Sequence, residues 1–248
     1  VSRSGAMTLC WSLDKAGPIC RSAEDAAIVF YYLHGTDGKD AAAVNMPFNY
    51  TGKADLSKMK IAYARNYFGK KDTLGNENAA LEVFRKAGAR LIPVDFPDST
   101  LYNFDIIGIV IGAESSAAFD GFTRTGLDDK MTRQGKGEWP NYFRAGRFIP
   151  ASEYINANRH RYLLMQKVNA VIEKYDVIIC PTWVGNQAAI TNLTGHPALS
   201  IPTGFNKQHT PTSITLLGKL YDEATILAIA KVYQDATKWG SMHPPFFK

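Results

Sequence analysis

Several familiar signals are missing from this sequence, and each absence removes a class of chemistry. The three cysteines, Cys10, Cys20 and Cys180, are odd in number and form no CxxC pair. Neither a disulfide framework nor a zinc cluster is therefore expected, and they read as small buried apolar residues. The five histidines, His34, His160, His196, His209 and His243, show no HExxH and no paired ligand spacing, so no metal is expected. No GxGxxG follows a strand and no GxxxxGK[ST] occurs, which removes dinucleotide and P-loop phosphate binding. Without a GxSxG elbow the usual α/β-hydrolase reading also falls. No cofactor is expected.

Long single-sign and long apolar runs are absent too. The 28 basic and 23 acidic residues give a formal charge of +5 but are interleaved along the chain, so no nucleic-acid footprint is expected. The longest apolar run, Ile106 to Ala113, falls far short of the roughly 20 residues a membrane-spanning helix needs. It reads as core, no membrane contact is expected, and the compartment stays open.

What the chain does have is globular material: 248 residues, 46% apolar and 12% aromatic, ample for a hydrophobic core. Ser22 stands three residues before Asp25 after Gly17-Pro18, a capping-box spacing that predicts a helix to about Leu33. "HGTDGKD" then reads as turns and "NMPFNYTGKADLSKM" as loop. "KIAYAR", "NENAALEVFRKAG" and "ARLIPVDF" form a strand, helix, strand unit, with Gly88 as the helix stop. Such a unit implies parallel strands covered by helices. A buried helix is predicted over Phe104 to Phe122. A long amphipathic helix is predicted after Pro150, with Tyr154, Ala157, Tyr162, Met165, Val168 and Ile172 near one face. "DVIICPT" reads as a fully buried strand, "HPALSIPTGF" and "SITLLGKL" as two more, and a last helix starts at Asp222. The fold class is α/β, with a mixed, largely parallel sheet covered by helices.

One SxxK occurs at Ser12 and Lys15. A lysine can deprotonate such a serine when both stand on one helical turn. Here Gly17-Pro18 follows at once and the companion KTG and SDN elements are missing, so the segment reads as a turn with a solvent-facing lysine. Asp14 and Arg21 read as charges that hydrogen-bond backbone groups and hold this loop.

Taken together, "VSRSG", "SLDKAGPICRSAEDAAIV", "YDVIICPT", "NLTGHPALSIPTGF" and "GKLYDEATILAIAKVYQ" resemble the C-terminal half of amidase signature proteins. The resemblance implies that residues 1–248 are the C-terminal portion of a single amidase domain of incomplete α/β fold. In the family, a serine attacks an amide carbonyl, a lysine takes its proton through an intervening serine, and backbone N–H groups stabilise the oxyanion. All of these groups precede the block that begins with "VSRSG". Val1 is thus expected to mark a cut, and the chain is expected to hold no catalytic residue and to be inactive alone.

The same resemblance places Trp139, Tyr142 and Arg147, and Trp183 and Gly185 after Pro181, near the mouth of a substrate pocket. The expected ligand is a small-molecule amide. The A-type subunits of tRNA-dependent amidotransferases hold the amino group of glutamine with an acidic residue ahead of the NLTG-like block. "WVGNQAAITNLTG" has no Asp or Glu, which favours a general amidase. The alternatives are a non-catalytic binding module and an A-type amidotransferase subunit. An exposed strand edge would make homo-oligomers possible.

Overall fold

The structure, a computed structural model, describes residues 1–68, 75–97 and 103–243. The strands are β1 (Ile61–Ala64), β2 (Ile92–Val94), β3 (Val177–Pro181), β4 (Ala198–Phe205) and β5 (Pro211–Leu217). They form one sheet in the order β2-β1-β3-β5-β4. β1 pairs in parallel with both β2 and β3, whereas β5 is antiparallel to β3 and to β4. Four of the five strands thus point the same way, as expected of a mixed, largely parallel sheet.

The helices are α1 (Ala23–Leu33), α2 (Arg65–Phe68), α3 (Gly75–Lys86), α4 (Ile106–Ala118), α5 (Asp120–Arg124), α6 (Trp139–Ala145), α7 (Ala151–Ile172), α8 (Gln187–Thr194) and α9 (Glu223–Asp235). Alternation along the strands divides the core between the two sheet faces. Ala62, Ala64, Ile178, Cys180 and Leu217 face α4, α7 and α8 through Ile106, Val110, Leu164, Val168, Ile190 and Leu193. Ile61, Val177, Ile179, Ile214 and Leu216 face α1, α3 and α9 through Ala27, Phe84, Leu227 and Tyr233. β3 lies between both layers, and all five of its residues are buried. That accounts for its unbroken apolar run.

Local signals act where the sequence places them. The Ser22 hydroxyl accepts from the Asp25 N–H at 3.0 Å and caps α1. Asp222 caps α9 through the Thr225 N–H. Gly88 follows α3 at φ 96°, left-handed backbone that glycine adopts without steric cost.

Three expectations are corrected. Cys20 is exposed, unlike Cys10 and Cys180, because it lies in the open turn before α1. The helix predicted over 104–122 breaks at Phe119 into α4 and α5. On α7 the buried positions are Ala157, Leu164, Val168 and Ile172, while Tyr162 and Met165 are exposed. Spacings of seven, four and four from Ala157 keep the buried set on one face, and Tyr162 and Met165 lie off it.

Both outermost described strands contain a proline, Pro93 in β2 and Pro202 in β4, and β4 is irregular between Pro202 and Gly204. On the α4 side, small residues allow close approach to the turn after α6. A Cβ built on Gly146 would lie 2.1 Å from the Gly112 carbonyl oxygen. We predict that Gly146→Ala lowers stability by about 3 kcal/mol, the upper range for overpacking a rigid contact. Gly121→Ala, in a position open within 4 Å, serves as the control in urea denaturation. Equal midpoints for the two variants would contradict the contact.

Candidate functional site

A cleft of about 940 Å³ opens beside the end of β3. One wall is the segment Trp11 to Pro18, and a second is the β3–α8 connection with the inward side of α8. Phe30, His34, Met46 and Phe48 supply an aromatic and apolar end, and the first turn of α9 closes the far side. The carboxyl ends of strands in an open α/β sheet are where ligands commonly bind, because loops there diverge and leave a crevice.

The Trp11–Pro18 wall is anchored by Glu114 of α4, which is only 6% exposed. Its carboxylate accepts from the Ser12 N–H at 2.8 Å, the Ser12 hydroxyl at 2.6 Å and the Tyr154 hydroxyl at 2.8 Å. The Cys10 thiol completes the set at 3.1 Å. Burial by itself would raise the Glu114 pKa, but these hydrogen bonds prevail and hold it below the usual range. Arg161 of α7 closes the cluster. It donates to the Ser12 hydroxyl at 2.8 Å, the Ser12 carbonyl at 2.9 Å and the Leu193 carbonyl at 2.6 Å. Asp14 holds the same turn by accepting from the Leu9 and Cys10 N–H groups at 2.8 and 3.0 Å, and Arg21 reaches the Gly240 carbonyl at 3.4 Å.

This geometry settles the SxxK. The Ser12 hydroxyl proton is committed to Glu114, while the Lys15 ammonium turns to the Thr191 carbonyl on α8 at 2.7 Å. Lys15 is exposed as a residue, yet it is not the freely solvated lysine expected, since its Nζ is anchored at the cleft wall. Burial of the ammonium, with the neighbouring Arg161 charge, lowers its pKa to about 8, so it is still largely cationic at neutral pH.

Further along the wall, His196 is 1% exposed. Its Nδ1 lies 2.8 Å from the Thr194 hydroxyl and its Nε2 3.3 Å from Asn169 Oδ1. Burial first, then Lys15, pushes its pKa down to about 4, so it is neutral at pH 7. Neither buried cysteine is poised as a thiolate. Burial and Glu114 push Cys10 up to about 12, and burial also raises Cys180.

Local sequence pattern does not reveal a set of hydroxyls that meet at the end of β3. Thr182 Oγ1 lies 3.0 Å from Thr215 Oγ1 and accepts from Ser213 at 2.9 Å, while Gln187 donates to the Thr182 carbonyl at 2.5 Å. Thr182, Thr215 and Gln187 line the cleft. The available signal was Thr182 directly after a buried strand, but its partners lie on β5, beyond the reach of local pattern.

Of the sequence-predicted residues, Trp183 and Gly185 line the cleft, Trp183 being 84% exposed. Gly185 is held at φ 83°, where a Cβ would lie 2.4 Å from the Tyr67 ring. Tyr67 in turn receives the Asn186 N–H at 3.2 Å and donates to the Pro97 carbonyl at 2.6 Å. Trp139, Tyr142 and Arg147 are not among the residues lining the cleft. The rings of Trp139 and Tyr142 pack at 5.7 Å on α6, and Arg147 pairs with Asp120 at the start of α5.

A family model described as Amidase matches residues 1–189. Among curated proteins, the A-type subunit of glutamyl-tRNA(Gln) amidotransferase from Geobacillus kaustophilus is 30% identical over 98% of this chain and 59% of its own length. Its counterpart from Nitrosomonas europaea is 28% identical over 99% and 59%. The chain therefore spans about three-fifths of these relatives' length. Among solved structures, an amidase family protein from Bacillus anthracis superposes with a TM-score of 0.78 at 18% identity, over 99% of this chain and 52% of that one. The peptide amidase of Stenotrophomonas maltophilia gives 0.74 at 22%, over 100% and 58%.

Two outcomes follow from the polar wall. Glu114→Ala strands the donors of Ser12 and Tyr154 and should cost about 3 kcal/mol in chemical denaturation; a loss under about 1 kcal/mol would show that the cluster does not anchor the wall. For His196, the folded pKa lies below the ordinary 6.5, so between pH 6.5 and 4 the unfolded chain binds a proton that the folded chain refuses. Stability should fall as pH drops through that window, by at most roughly 3 kcal/mol, and the His196 contribution should level off below pH 4. The difference between wild type and His196→Gln across that range isolates the effect.

Proposed function

Because the chain belongs to the amidase family, we propose that its cleft is the substrate-facing wall of an amide-hydrolysing site. The reaction would convert a small primary, aryl or alkyl amide to a carboxylate plus ammonia or an amine. In this reading the 248 residues are the C-terminal portion of one amidase domain, and the nucleophilic serine, its partner serine and the lysine come from sequence outside them.

The observation that carries the reading is a formed cleft without an activated nucleophile among the described residues that line or back it. Ser12 donates to a carboxylate whose pKa is held low, which makes Glu114 a weak base. Lys15 does not reach Ser12, and Cys10 is held as a thiol. What the wall offers instead is binding: the exposed Trp183 ring for an apolar or aryl group, and the Thr182, Thr215 and Gln187 groups for an amide.

A second reading has its own support, since the curated relatives named above are A-type amidotransferase subunits. The stretch between Pro181 and His196 carries no carboxylate to hold the ammonium of glutamine, and this favours the general amidase.

The 248-residue chain should neither release ammonia from benzamide nor be labelled by a fluorophosphonate probe, as intact-mass spectrometry would detect. A serine adduct anywhere in the chain would overturn the assignment. Glutamine binding stronger than benzamide binding would move the reading to the amidotransferase.

A further inference from the structure

Resting on that reading of the cleft, we propose that Lys15 makes it selective for amides bearing a second, anionic group, whose carboxylate pairs with the Lys15 ammonium. Most other charges facing this part of the cleft are already matched or neutral. Arg3 is neutralised by Asp40, with Nε and Oδ2 at 2.8 Å. The Asp14 carboxylate is occupied by the backbone N–H groups of Leu9 and Cys10. Glu223, at the start of α9, has its pKa raised by burial and so favours the neutral acid more than an ordinary glutamate does. His196 is uncharged at neutral pH. Lys15 has no carboxylate partner within ion-pair distance among the described residues.

Neither cation of the wall is paired with a carboxylate of the same turn, since Asp14 is turned to the backbone N–H groups of Leu9 and Cys10. Lys15 and Arg161 flank the Glu114 cluster, and Glu114 spends its oxygens on Ser12, Cys10 and Tyr154 rather than on either cation. The carbonyls of Thr191 and Leu193, in the last turn of α8, take one N–H from each. A helix C-terminus supplies only about half a negative charge, so the Thr191 carbonyl offsets the Lys15 ammonium only in part. An ammonium has three donors, and the one hydrogen bond that Lys15 makes leaves two for a ligand. A carboxylate there would gain a charge-assisted pair in a partly desolvated setting. The exposed Trp183 ring on the same cleft suits an aryl group at the other end of such a molecule.

A lysine that only caps α8 would stabilise the wall without discriminating between ligands by charge. The test therefore compares hippurate, an aryl amide with a carboxylate, against hippuramide, its neutral counterpart, by calorimetric titration of the 248-residue chain. Hippurate should bind at least tenfold more tightly. Lys15→Gln should remove that preference while leaving hippuramide affinity within about twofold, and Lys15→Arg should retain most of it. Equal affinities in the wild type, or a preference that persists in Lys15→Gln, would overturn the inference while leaving the amide reading intact. Binding of neither compound would overturn both. Equal affinities in the wild type would overturn the inference even where a variant fails to fold.

Discussion

A carboxylate enclosed between helices carries a desolvation cost of several kcal/mol unless its lone pairs are filled, and Glu114 fills them with groups from two distant parts of the chain. Cys10 and Ser12 come from the N-terminal segment and Tyr154 from α7. The N-terminal segment contains no strand and no helix before α1, so without these bonds it would have few directional restraints. With them, the turn from Trp11 to Pro18 becomes a fixed wall, and Asp14 and Lys15 take up defined positions along it. The cleft depends on that anchoring.

The sheet supplies the other half of the frame. β3 is clamped between two helical layers and cannot shift register without exposing its apolar residues, so Thr182, one residue past its end, is held in a set place. α8 starts five residues later, and its last-turn carbonyls draw Lys15 and Arg161 toward them. The polar end of the cleft thus arises where a strand end, a helix end and an anchored turn converge. The aromatic end is built separately, from the end of α1 and the loop that follows.

Much of this frame could be read from local pattern. The alternation in β1, the continuous run in β3, the Ser22 cap and the glycine after α3 each act within a few residues, which is the range over which periodicity and capping operate. The break at Phe119 lies outside that range, since the Phe119 ring stacks on Phe143 of α6, 24 residues away. The exposure of Tyr162 follows from a choice between two adjacent helical faces that composition does not resolve. At the cleft, Trp183 and Gly185 were accessible because they directly follow a recognisable strand. The Glu114 cluster was not, because Ser12 and Glu114 are separated by 102 residues and a glutamate within a small-residue helix gives no local sign of what it will hold. The sequence marks Lys15 only by its spacing to Ser12, whereas its partner is a carbonyl 176 residues away.

The prolines in the two outermost described strands have an effect of their own. A strand adding itself to β2 or β4 by main-chain pairing would meet a residue without an N–H on either side, and along β4 it would also meet a break in the regular repeat beside Gly204. Growth of the sheet into a stacked ribbon of chains is impeded at both ends.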